Sequence, residues 1–180
     1  MKPENVKSIL KDELCQLGFD AKGVDDQLRF EYVIDQHQAP LHYLVNFDNN
    51  LHTIDVRVHW DLVADQLTSE LLTFLSYLNS VDQYGHFYVE SSDNRVYYKL
   101  SIFYRDFTPE LDRTRRLFSI PVRAFGSGSN ALRAILQQGE PVIDVYHWWI
   151  KEVLDTQEVE RREIKPEEDE GPKKGGSHES

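Results

Sequence analysis

The chain is short of cysteine, of basic charge and of long apolar runs. Cys15 is the only cysteine in 180 residues, which excludes an internal disulfide and any metal site built from several thiolates. No apolar stretch reaches the roughly 18 residues that a membrane span requires. The opening residues, Met1-Lys2-Pro3-Glu4-Asn5-Val6-Lys7, lack the apolar core of a signal peptide, so a soluble, cytoplasmic protein is expected. Lysine and arginine together number 20 against 31 aspartates and glutamates, a formal net charge of -11. A field of that sign repels nucleic acid and anionic membranes, and neither is expected as a partner. It promotes solubility and suits basic partners. No nucleophile, base and orienting group can be picked out together. The chain is therefore not expected to be an enzyme or to carry a cofactor or metal.

What is present is enough apolar sequence for one substantial core: 40% of residues are hydrophobic and 12% aromatic. Val6, Ile9, Leu10, Leu14 and Leu17 recur at helical spacing, and Gly18 stands where a helix C-cap would sit. Cys15, beside that stripe, reads as a buried or half-buried inert thiol. Three alternating runs follow, Leu28–Ile34, Tyr43–Phe47 and Ile54–Trp60. They read as antiparallel strands with one buried face. Asp48-Asn49-Asn50 is a turn between the last two. Leu67 to Leu78 reads as a second helix with Asp65 as its N-cap. Phe87–Glu90 and Arg95–Tyr104, separated by Ser91-Ser92-Asp93-Asn94, form a second hairpin.

Pro109 and Pro121 argue against one continuous element between Asp106 and Arg123. Gly126-Ser127-Gly128-Ser129-Asn130 then leads into a helix carrying Leu132, Ile135 and Leu136. Gly139-Glu140-Pro141 breaks it from a last helix with the stripe Val142, Val145, Tyr146, Trp149, Val153 and Leu154. From Glu158 the composition turns to charge and then glycine, too poor in apolar residues to offset its ordering entropy. The expected fold is α+β, a sheet of about five antiparallel strands with helices mainly on one face, in the order α-βββ-α-ββ-α. It occupies residues 1–157 as a single domain, and 158–180 are a disordered charged tail.

The segment Leu71-Leu72-Thr73-Phe74-Leu75-Ser76-Tyr77-Leu78-Asn79-Ser80 is followed by Gly85-His86-Phe87-Tyr88-Val89 and by Arg95-Val96-Tyr97-Tyr98-Lys99-Leu100. A leucine-rich helix ending in Leu-Asn, a glycine-led strand, a short Asp/Asn turn and an aromatic strand resemble the YbjN-like family. These are bacterial proteins labelled as sensory transduction regulators, with a fold similar to type III secretion chaperones. The motif is structural: leucines for packing, Asn79 for ending a helix, Asp93-Asn94 for a turn. It brings no catalytic residue. The resemblance implies a non-enzymatic protein-binding module, a chaperone-like or regulatory adaptor, and a homodimer acting on a protein partner. The stretch from Arg113 to Asn130 departs from the family pattern.

The residues themselves offer two kinds of site. Arg113, Arg115 and Arg116, with Arg123, form the one concentrated basic patch, suited to acidic surface of this chain or of a partner. Trp148, one residue off the stripe of the last helix, is an exposed-indole candidate for a partner interface. The alternative is a small-ligand or anion sensor. Gly126, Gly128 and Ser129 would cradle an anion with their amides ahead of a helix, supported by Arg133. His37, His42, His52 and His59 fall near the first sheet without a metal-ligand motif, and surface positions are expected for them. Asp61 and Asp65 read as helix-capping carboxylates.

Overall fold

Period-two alternation becomes a six-stranded, wholly antiparallel sheet, one strand more than the sequence suggests. The computed structural model describes residues 3–33, 40–64, 68–103 and 110–164. Its elements run α1 (Pro3–Gln16), β1 (Lys22–Val24), β2 (Gln27–Tyr32), β3 (Leu41–Asp48), β4 (Thr53–Val63), α2 (Ser69–Val81), β5 (His86–Glu90), β6 (Arg95–Phe103), α3 (Leu111–Gln138) and α4 (Val142–Ile164). The strands lie in the order β1-β2-β3-β4-β6-β5. The extra strand, β1, is three exposed residues paired to β2 across Asp25-Asp26. It has no apolar alternation to betray it; Asp25 turns the chain with φ 49°.

Alternation decides which face is covered. On β3, Leu41, Tyr43, Val45 and Phe47 are buried, and the residues between them are not. On β4, Ile54, Val56, Val58 and Trp60 continue the same face across the register Val45↔Val56 and Tyr43↔Val58. Side chains from all four helices join these strands in one cluster, including Leu10, Leu71, Leu132 and Trp149. Each such fully buried side chain stabilises the fold by roughly 1.5–3 kcal/mol relative to exposure. The other face of the sheet is left to polar residues and rings.

The caps explain where the helices stop. Gly18, at φ 89°, closes α1, with the Phe19 amide donating to the Leu14 carbonyl at 3.0 Å. Cys15 is exposed, on the outer side of α1 rather than buried. Thr68, not Asp65, caps α2, its Oγ1 accepting from the Leu71 amide at 3.1 Å. Asp65 lies outside the described residues, as does His37. Gly139, at φ 70°, ends α3, and Pro141 sits ahead of α4, so the expected break is present.

The largest departure is α3. It runs unbroken from Leu111 to Gln138, through both Pro121 and the Gly126–Asn130 stretch. The reason is its apolar face. Thr114, Leu117, Phe118, Pro121, Ala124, Phe125, Gly128, Ala131 and Leu132 are all buried, at intervals of three and four that never lapse. A proline inside a helix costs about 3 kcal/mol, and packing along this stripe outweighs it. Tyr43 Oη also donates to the Phe118 carbonyl at 2.8 Å, in the turn beneath Pro121. At the other end, α4 continues through Ile164, past the boundary that composition places at 158. Residues from 165, the rest of the expected tail, lie outside the described residues.

Candidate functional site

The motif that carries the family resemblance proves to be a joint between α2 and the β5–β6 hairpin. Leu71, Phe74, Leu75 and Leu78 bury the inner face of α2. Asn79 does not cap the helix. Its Oδ1 accepts from the Phe87 amide at 2.6 Å and its Nδ2 donates to the Phe87 carbonyl at 3.0 Å. The side chain thus occupies backbone groups on the outer edge of β5, which would otherwise invite another strand. The C-cap is Asp82. Its Oδ1 accepts from the Tyr84 amide at 2.7 Å, the Gly85 amide at 3.0 Å and Tyr98 Oη at 3.0 Å. Burial first, and then the Asp82 carboxylate, push the Tyr98 hydroxyl well above the usual phenol range. Gly85 is required by close approach: a Cβ there would lie 2.5 Å from both the Lys99 carbonyl oxygen and Tyr98 Cζ.

This joint forms one end of a groove of about 590 Å³ between α2, α3 and α4. Leu78, Phe87 and Trp149 make a buried apolar floor. Trp149 meets Phe74 edge-on at a centroid distance of 5.6 Å. Ile120 of α3 and Val153 of α4 stand on opposite walls, with Val81 and Tyr84 at the rim. Tyr84 is 62% exposed and Val81 43%. A second hollow beside Tyr84 is bounded by Arg116, Ser119, Ile120 and Arg123, so the groove continues along α3. The groove thus sets an apolar floor under a partly exposed aromatic rim, with Asp82, Arg123 and Glu152 at its edges.

The residues singled out from sequence divide across the surface. Arg116 borders the groove's extension and Gly126 its main body. Arg113 turns to Glu110 at 3.5 Å and Arg115 to Asp112 at 3.9 Å, both exposed pairs along α3. Arg133 lies over the Trp60 ring at 4.2 Å, a cation–π contact rather than an anion ligand. Gly126, Gly128 and Ser129 lie inside α3, so their amides serve the helix and no anion cradle forms. Gly128 instead lets α3 approach α2, its Cβ position lying 3.2 Å from Leu78 Cδ2. Trp148 is 40% exposed on α4, as expected, but does not line the groove, whereas Trp149 is fully buried in its floor. Tyr84 and Val81 are groove residues that sequence reasoning passed over, and Arg123 was read only as part of the basic patch. The heptad spacing of Arg116 and Arg123 about Ile120 was the available signal, hidden by the expected break at Pro121.

The open face of the sheet carries a row of rings. His42 and His59 are cross-strand partners, stacked at 4.8 Å. Tyr97 follows His59 at 4.9 Å, and Tyr88 stacks on Tyr97 at 5.6 Å. A hollow of about 550 Å³ lies over this face near Lys22, Arg29 and His42. His42, His59 and Tyr97 line that hollow. His42 lies 3.3 Å from Glu31 and 3.6 Å from Asp61. Burial, and then His42, hold His59 below the usual histidine value. Burial, and then its hydrogen bond to Asp93, push Tyr97 up to about 12. Among the described residues, no group of three or more His, Cys, Asp or Glu is placed to hold a metal, and no helix is long and apolar enough to cross a membrane.

Fold and site together define an α+β module with an apolar-floored groove between helices. No family model matches the chain, and no curated protein matches it. Among solved structures it is similar to one described as the crystal structure of the ExsC-ExsE complex. That likeness has 14% identity, covers 69% of this chain and 92% of the other, and has a TM-score of 0.48. At that identity and score it says nothing of function.

Proposed function

We propose that this chain is a non-enzymatic protein-binding module, a chaperone-like or regulatory adaptor, that receives side chains of a partner segment in the groove between α2, α3 and α4. The observation that carries this reading is the pairing of a buried floor, Leu78, Phe87 and Trp149, with a rim where Val81 and Tyr84 stay exposed. Burying apolar surface returns roughly 25 cal/mol per Å². A partner's apolar side chains would thus gain by covering a rim that water now covers. The type III secretion chaperone-like resemblance and the homodimer it implies belong to the same reading, as does the cytoplasmic location expected from the sequence. The anion-sensor alternative loses its basis, because its loop is helix.

A photo-reactive phenylalanine analogue in place of Tyr84, cross-linked in the native cell, tests the reading directly. The expected result is a discrete protein adduct that disappears when Ile120→Glu is added to a chain that circular dichroism shows to remain folded. An adduct that survives Ile120→Glu, or none at all, would overturn it.

A further inference from the structure

Two arginines of α3 distinguish the groove from the rest of this acidic surface. Arg116 and Arg123 are both exposed and flank Ile120. They stand seven residues apart in an unbroken helix, about 10.5 Å along the axis at 1.5 Å per residue, and on one side of it. Elsewhere on the described surface, several basic side chains are matched locally. Lys22 pairs with Asp20, Lys99 with Asp55, Arg113 with Glu110 and Arg115 with Asp112. Among the described residues, neither Arg116 nor Arg123 has an ion pair or a side-chain hydrogen bond. That is notable in a chain with 31 acidic residues against 20 basic ones.

The acids of the groove stand on other elements than α3. Asp82 is engaged by two backbone amides and Tyr98 Oη, and Glu152 belongs to the α4 side. The groove is therefore asymmetric, with cations along α3, apolar side chains in the middle and an acid on α4. We propose that it selects a partner segment that is acidic as well as apolar, against the preference that the net charge suggests. The apolar side chains seat on Leu78 and Phe87 beside Ile120, and carboxylates about 10 Å apart reach Arg116 and Arg123. An amphipathic helix with acids seven positions apart presents that spacing on one face. Rim charges of this kind act on selection and encounter more than on raw affinity. This inference rests on the groove being the binding site, and the experiment separates the two.

The probes are three amphipathic helical peptides with one common apolar face, carrying glutamate, lysine or glutamine at flanking positions seven apart. Their binding to the purified full chain is followed by fluorescence anisotropy. The glutamate peptide is expected to bind about tenfold more tightly than the lysine peptide, with the gap narrowing as salt is raised. Arg116→Glu with Arg123→Glu should reverse the order, and Arg116→Gln with Arg123→Gln should abolish it. The glutamine pair also serves if charge reversal impairs folding. Ile120→Glu should remove binding of all three. If none of the peptides binds, or Ile120→Glu leaves them bound, the groove is not the site and both readings fall. If Ile120→Glu removes binding but the glutamate and lysine peptides bind alike, or the order survives in the arginine variants, the acidic preference falls and the groove stands.

Discussion

Replacing Gly126 by alanine discriminates between a helix and a loop at the point where sequence and structure disagree most. Gly126 lies within α3, is exposed, and has no atom within 4 Å of the position a Cβ would take. Its backbone is not left-handed; among the described glycines only Gly18 and Gly139 have positive φ. An alanine there meets nothing and reduces the freedom of the unfolded chain, so it should stabilise by about 0.5–1 kcal/mol. For a domain of this size that is a rise of roughly 1–4 °C in Tm. Urea unfolding followed by far-ultraviolet circular dichroism measures it, with the slope of the transition expected to stay the same. Gly128→Ala is the matched control, because its Cβ would sit 3.2 Å from Leu78 Cδ2. It should give no gain, and a loss of up to about 1–3 kcal/mol if Leu78 cannot yield. Destabilisation by Gly126→Ala of about 1 kcal/mol or more would refute the continuous helix. The segment would then be a loop, and added phosphate would be expected to raise the midpoint by occupying it.

Gly85→Ala should cost about 3 kcal/mol or more by calorimetry or urea unfolding, because its Cβ would lie 2.5 Å from the Lys99 carbonyl oxygen and disturb the Tyr98–Asp82 contact; a loss below about 1 kcal/mol would mean the joint is looser than described. His59 should make the fold acid-sensitive. Its folded value is depressed by burial and then by His42, so the unfolded chain takes up the proton first as pH falls through about 6.5, and stability declines from there until the depressed folded value is passed. His59→Gln should weaken the fall in unfolding free energy as pH drops below about 6.5, whereas parallel profiles for the two proteins would contradict the assignment. Trp148, 40% exposed on α4, should matter to self-association more than to folding. Trp148→Ala is expected to lower the sedimentation-derived mass at fixed concentration with little change in Tm, and unchanged sedimentation with a lowered Tm would count against it.

The sheet was legible because its signal is local. Leu41, Tyr43, Val45 and Phe47 alternate with half-covered residues in β3, and no tertiary knowledge is needed to read period two. β1 was not, since Lys22, Gly23 and Val24 are all exposed and are paired through their backbone to β2. The break before α4 was legible through Gly139 and Pro141. α3 was misread for the opposite reason. Pro121, Gly126 and Gly128 are each poor helix formers, and local propensity counts each against a helix. What overrides them is long-range: Leu117, Phe118, Phe125 and Leu132 all find buried positions only if the helix never stops. The candidate site followed that error. Once Pro121 ends an element, Arg116 and Arg123 belong to different pieces of chain, and their shared side of one helix cannot be read.

The joint at Asp82 ties the legible part of the chain to the part that was missed. Asn79, Gly85 and Tyr98 were visible as a motif because each has a local oddity: an amide at a helix end, a glycine before a strand, paired aromatics; Asp82, which joins them, was not. Their work is mechanical, to seat β5 against α2 through Phe87. Phe87 is also part of the groove floor, with Leu78. The same contacts that hold the hairpin in place therefore set the depth of the groove. The selectivity proposed for it comes from Arg116, Ile120 and Arg123 on α3, outside the motif. A sequence sharing only the motif would share Leu78 and Phe87 of the floor and not the side chains of α3. Transplanting Arg116, Ile120 and Arg123 onto such a relative should confer the preference for the acidic peptide, whereas transplanting the motif alone should not.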